Sequence, residues 1–211
     1  MRGRFITFEG TEGIGKSTQL ALAARYLLER GLDVLTTREP GGTPVAEKLR
    51  NLVLQPANGA LDPTAELLMI FAARADHVAN QIRPALKRGR WVLCDRFTDA
   101  TEAYQGGGSG LPLAAIHRLA KIAHPRLEPD LTLLLDAPPH VSSTRLAGRG
   151  NRPDRFEGED VAFFERVRAA YLAIAAREPA RVAVIDATGD EQAVAARVAG
   201  EIDRRLLQGR A

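Results

Sequence analysis

Eight residues near the start of the chain, Gly10-Thr-Glu-Gly-Ile-Gly-Lys-Ser17, satisfy the pattern G-x-x-x-x-G-K-[ST]. Their types suit one task. Glycines let successive backbone N–H groups turn inward as an anion nest. A helix starting here would add its unpaired N–H groups and the positive end of its dipole. Gly10, Thr11, Glu12, Gly13, Ile14 and Gly15 would then surround phosphate with backbone, and Thr18 would continue into the helix. Lys16 would set a point charge on the β- and γ-phosphates, and Ser17 would offer its hydroxyl to Mg²⁺. This chemistry belongs to a nucleoside triphosphate and says nothing yet about what receives the phosphate.

A second group of polar residues stands at the ends of two later apolar runs. Arg38 closes "LDVLTTRE", and Asp95 with Arg96 closes "RWVLCDR". In open α/β sheets ligands bind at the carboxyl ends of strands. Arginine forks match the oxygens of a phosphate, so Arg38 and Arg96 are candidates for an acceptor phosphate. Asp95 could hold Mg²⁺ or its waters. Asp136 competes for that role, because "LTLLLD" has the same shape of apolar run followed by aspartate. The absence of an N-K-x-D motif weighs against a guanine-nucleotide switch. A non-kinase regulatory nucleotide-binding protein stays open as the alternative class.

These residues need a frame. Apolar runs at 4–10, 32–39, 90–96, 130–137 and 181–187 read as strands. Helical patterns lie between them, at 17–31, 43–55, 61–89, 112–123, 139–148, 159–177 and 190–207. Pro84 should kink or divide the long third helix. Strands alternating with helices predict βαβ units and a five-stranded parallel sheet flanked by helices. Two polar loops stand out as candidate binding segments: the glycine run "YQGGGSG" and the arginine-rich "RLAGRGNRPDRFEGED".

Composition limits the alternatives. The chain has 211 residues, 45% hydrophobic and 26% charged, which suits one globular domain spanning 1–211. No apolar run reaches the ~20 residues a membrane helix needs, and none near the N-terminus suits a signal peptide. The 29 basic residues are scattered among 26 acidic ones with no aromatic-interleaved stripe, so no nucleic-acid partner is expected. The single Cys94 fits a reducing, cytoplasmic setting.

"REPGGT" (38–43), "FAAR" (71–74) and "DR…AYQGGG" (95–108), together with the early phosphate loop, resemble bacterial thymidylate kinase in order and spacing over the whole chain. The resemblance implies a P-loop NTPase fold, transfer of the γ-phosphoryl of ATP to dTMP with Mg²⁺, and a homodimer. A kinase for another deoxynucleotide or nucleoside is the alternative within the enzymes. It implies that Arg38 and Arg96 meet the acceptor phosphate and that Arg74 hydrogen-bonds thymine. Thr101 would lie at the base edge, and Tyr104 where a ribose 2′-OH would sit, with Gln105 beside it. Glu9 would lie near phosphates and metal. Glu39–Pro40 would be a cis peptide.

Some positions depart from the family pattern. The residue four before Arg74, commonly Phe, is Ile70 here, with Phe71 next to it, so either could pack the base. Ala100 and Phe97 replace commoner polar or ring residues. The family supplies a catalytic arginine from the phosphate loop or from a lid. Here the loop carries Glu12, so the lid at about 145–157 is implied to deliver it, through Arg149 or Arg152. Arg145 would flank adenine, Arg155 would form a structural pair, and the 186–188 loop would close over that base.

Overall fold

The structure, a computed structural model, describes residues 3–55, 61–138, 156 and 159–207. The described residues form five strands: β1 (Phe5–Glu9), β2 (Val34–Arg38), β3 (Trp91–Asp95), β4 (Leu131–Asp136) and β5 (Val182–Asp186). All pair in parallel, in the order β2-β3-β1-β4-β5. Parallel strands need crossover helices, and those helices cover both faces of the sheet. That is why β1 and the first five residues of β4 are buried throughout and read as unbroken apolar runs. Ile6, Phe8, Leu131, Leu133 and Leu135 face one layer, containing α1 (Lys16–Leu28) and α8 (Glu191–Ile202). Phe5, Val92 and Cys94 face the other, with Val78, Ile82 and Leu86 of the segment before β3.

The remaining helices are α2 (Pro44–Leu54), α3 (Pro63–His77), α4 (Arg83–Lys87), α5 (Thr98–Thr101), α6 (Leu113–Ala123) and α7 (Val161–Arg177). Thr43, Asp62, Asp160 and Asp190 cap α2, α3, α7 and α8 with side-chain oxygens. The N-terminus of α1 has no side-chain cap and begins from Gly15 at φ +100°.

One expectation holds and another is corrected. The long helix is divided, and Pro84 stands in the first turn of its last piece, α4. A π-helical turn, Val78–Ile82, joins α3 to α4, and its wider register absorbs the hydrogen bond that proline cannot donate. The glycine run is not a loop. Glu102–Gly108 continues α5 as a second π-helical turn packed on α7. A Cβ on Gly108 would lie 2.5 Å from the Phe163 ring, and one on Gly107 2.6 Å from the Ala170 Cβ. The glycines are there for close approach of backbone to helix. The helix expected at 139–148 lies outside the described residues. The last helix is α8 followed by a π-helical turn, Asp203–Leu207.

Candidate active site

Parallel pairing brings the carboxyl ends of β1, β3 and β4 together. Phe8 lies beside Asp95, and Glu9 beside Leu134. The 10–15 loop therefore opens next to Asp95. Gly10 sits at φ +134°, and a Cβ there would stand 2.4 Å from the Leu135 carbonyl oxygen, so only glycine fits this close turn. Lys16 folds back over the loop: its Nζ donates to the Gly10 and Thr11 carbonyls at 3.2 and 2.8 Å. Burial, then the Arg96 charge, pull the ammonium below its ordinary pKa. Ser17 Oγ donates to Asp95 Oδ2 at 2.8 Å. Asp136 is engaged elsewhere, in a two-pronged pair with Arg168 at 2.7 and 2.8 Å. Of the two competing aspartates, Asp95 is the one beside the phosphate loop.

Arg96 links the loop to the next wall. It is one of two non-glycine residues at positive φ among those described, at +72°. From there its Nη2 reaches Glu12 Oε1 at 2.7 Å and the Tyr104 hydroxyl at 3.0 Å. Its Nη1 reaches the Gly10 carbonyl and the Tyr171 hydroxyl, both at 3.1 Å. Burial alone would raise the Glu12 pKa; Arg96 and then Lys16 hold it down to about 2. Behind them Glu9 is fully buried, accepting from the Phe97 N–H at 2.7 Å and the Tyr171 hydroxyl at 2.8 Å. Burial, then the Asp99 charge, push its carboxyl up to about 7.

A cavity of about 100 Å³ opens beside Arg96. Arg74 forms its far wall, arranged by three acceptors. Nε donates to Glu39 Oε2 at 2.6 Å, and Nη2 donates to the Phe97 carbonyl at 3.0 Å and Thr101 Oγ1 at 3.1 Å. Among the described residues Nη1 is buried without a partner. A buried unpaired guanidinium N–H on a residue that lines a cavity calls for an acceptor. Glu39–Pro40 is cis, as the sequence resemblance implied.

The expected residues divide as follows. Ile70, Arg74, Arg96, Thr101, Tyr104, Gln105 and Glu12 line this cavity. Phe71 turns away to pack with Leu67 and Ile116, where its ring supports the Arg74 guanidinium from 4.8 Å. Arg38 does not line the cavity; its side chain is 55% exposed and pairs with Glu47 at 3.0 Å. Arg145, Arg149, Arg152 and Arg155 lie outside the described residues. Sequence reasoning missed Arg50, which lines the cavity from α2 and donates to the Pro40 carbonyl at 2.8 Å. It also missed Tyr171 and Phe156. Nothing local marks Arg50 or Tyr171, since each arrives from a helix packed on the site by tertiary contacts.

A model of the family described as thymidylate kinase matches residues 8–198. The chain belongs to the thymidylate kinase family. It is 56% identical to the thymidylate kinase of Chromohalobacter salexigens over 205 residues, 97% of each chain. It is 55% identical to that of Pseudomonas putida strain GB-1 over 92% of each. A crystal structure of thymidylate kinase from Ehrlichia chaffeensis superimposes with a TM-score of 0.76 at 35% identity, covering 96% of this chain and 99% of that one. The chain is accordingly an ATP-dependent nucleoside monophosphate kinase of the thymidylate kinase type.

Proposed function

We infer that the chain transfers the γ-phosphoryl of ATP to dTMP, giving dTDP. One observation carries this reading beyond the family: the unpaired Arg74 Nη1 and the Arg96 fork line one cavity, beside the phosphate loop. A pyrimidine carbonyl satisfies the first; the positive charge of the second, whose Nη groups already serve four acceptors, attracts the acceptor's phosphate. All the free valences of Arg74 are donors, which favours a ring carbonyl over the amino group of cytosine.

Lys16 and the backbone of Gly10–Thr18 take the ATP phosphates, with Arg145 at adenine. Arg96 and Arg38 take the acceptor phosphate, with Glu9 behind them. Ile70 packs the base, Thr101 and Gln105 edge it, and Tyr104 excludes a ribose 2′-hydroxyl. Ser17 and Asp95 offer Mg²⁺ two hard oxygen ligands 2.8 Å apart, a set that suits an ion keeping most of its shell as water and phosphate. Held by Ser17 and Asp95, Mg²⁺ would supply neutralisation of charge on the transferring group. The rest of the task is positioning, which the paired side chains perform.

In a coupled assay ATP is expected to be consumed with dTMP and not with dCMP, dGMP or no acceptor. Consumption without acceptor would favour the nucleotide-switch reading instead. Glu12 leaves the phosphate loop without an arginine, so the further catalytic charge is assigned to Arg149 or Arg152 in the lid of the single 1–211 domain. Arg149→Ala or Arg152→Ala should lower kcat at least about tenfold, or ~1.4 kcal/mol. Unchanged turnover in both would sink the lid assignment.

The assembly is proposed to be a homodimer. α2, α3 and α6 pack side by side and expose Leu52, Leu68 and Ile122, the last at 77%. The compartment proposed is the cytoplasm, in keeping with a lone buried cysteine. No helix among the described residues is long and apolar enough to cross a membrane.

A further inference from the structure

Because all strands run in parallel, the start of β3 and the turn into β4 lie at the end of the sheet away from the phosphate loop. There a cleft of about 300 Å³ opens between α4 and the 124–129 turn. Its lining is Arg83, Leu86, Lys87, Arg126 and Leu127, with no carboxylate among them. Leu86 and Leu127 are each 3% exposed and form an apolar floor. Arg83 donates to the Pro125 carbonyl, which ties the turn to α4. Lys87 and Arg126 are exposed and have no hydrogen-bond or carboxylate partner among the described residues.

The backbone adds a second observation. Among the described residues two non-glycines have positive φ, and both are arginines: Arg96 at +72° and Arg126 at +58°. A left-handed arginine costs free energy that a glycine would save, and such residues gather at functional sites. Arg96 reaches the phosphate loop from that conformation. Arg126 uses it to bring a third cation over the cleft, against the repulsion of Arg83 and Lys87. On its other side Arg126 borders a cavity where charges of both signs meet: Asp99, Glu102 and Glu178 are paired there with Arg177 and Arg181. The α4 side is the one whose lining carries cations and no carboxylate.

We propose that this cleft is a second anion site, which takes a small phosphate-bearing polyanion on Arg83, Lys87 and Arg126. Two guanidinium forks and an ammonium match the oxygens of linked phosphates. The volume is at the small end for ligand sites, which suits a ligand near pyrophosphate in size.

The test is calorimetric titration of the full chain with inorganic pyrophosphate at about 0.15 M KCl, where surface attraction is screened beyond ~8 Å. Two classes of site are expected, the phosphate loop and the cleft. Lys16→Gln should remove the first and leave the second. The double variant Lys87→Gln/Arg126→Gln should remove the second and keep turnover within about twofold of wild type. Arg126→Gly separates binding from folding: it should melt above the wild type, because the strain is relieved, yet bind pyrophosphate at the cleft about tenfold more weakly. The proposal is overturned if Lys16→Gln alone abolishes all pyrophosphate binding. It is equally overturned if the double variant binds with wild-type stoichiometry and affinity. The kinase reading stands or falls separately, on the coupled assay.

Discussion

Arg96→Met is expected to lower kcat by about 10³-fold, the loss typical when a preorganised donor to developing charge is removed. The side chain is 14% exposed, and four acceptors fix its fork: Glu12, Tyr104, Tyr171 and the Gly10 carbonyl. Its ring contact with Tyr104, 4.6 Å to the centroid, fixes the plane as well. A group held this firmly is already in place when the acceptor phosphate attacks the γ-phosphoryl. Arg96→Lys is the sharper variant. It keeps the charge but cannot serve four acceptors from one fork, so it should still lose about a hundredfold or more. A second consequence concerns Glu12. Without Arg96 its carboxylate keeps Lys16 at 4.0 Å and the Tyr104 hydroxyl at 3.2 Å, and its pKa should climb from about 2. Turnover should then fall further on acidification in Arg96→Met than in the wild type. The measurement is kcat and KM for both substrates from pH 5.5 to 8. Turnover within tenfold of wild type for Arg96→Met would remove Arg96 from the transferring group.

The phosphate loop and the sheet were legible because both are written locally. A contiguous motif specifies the loop, and five short apolar runs specify strands buried on both faces. Where the reading went astray, the deciding force was not local. "AYQGGG" looks like a flexible loop by composition, but its glycines answer to Phe163 and Ala170, about sixty residues further on. The choice between Ile70 and Phe71 had no sequence answer, since "LLMIFAARA" is apolar on every side and carries no phase. Arg74 sets the phase in the folded chain: it is anchored to Glu39, and Ile70, one turn earlier, shares its face. Arg50 and Tyr171 are chosen by helix packing alone, so their neighbours in sequence say nothing of their role.

Arg74→Met is expected to destabilise the fold by about 3–5 kcal/mol and to raise KM for dTMP, because breaking a buried pair strands its partner. Glu39 and Arg74 are each 2% exposed, and His77 is fully buried. Glu39 Oε1 accepts from His77 Nδ1 at 2.9 Å, leaving Nε2 to meet Thr37 Oγ1 at 2.8 Å. One carboxylate thus orders a chain from β2 through to the guanidinium that faces the cavity. For a chain of this size each kcal/mol is worth roughly 2–4 °C in Tm, so a drop of about 10 °C is expected. The pH dependence gives the cause away. Burial would raise the Glu39 pKa, but Arg74 and His77 together outweigh it and the value lies below the ordinary 4.5. In the wild type this stabilisation is therefore present above about pH 4.5 and lost as pH falls through the folded value. In Arg74→Met only the His77 contact still opposes burial, and the folded pKa is expected to move above the unfolded one. The sign reverses: the variant loses stability as pH rises through that folded value, and recovers it on protonation. The Tm gap between the two proteins should consequently narrow from pH 7.5 to pH 5. Adding Glu39→Gln to Arg74→Met should recover part of the lost stability at pH 7.5 without restoring dTMP affinity. A Tm gap that stays constant across this range would mean that lost packing, and not a stranded carboxylate, is what the substitution costs.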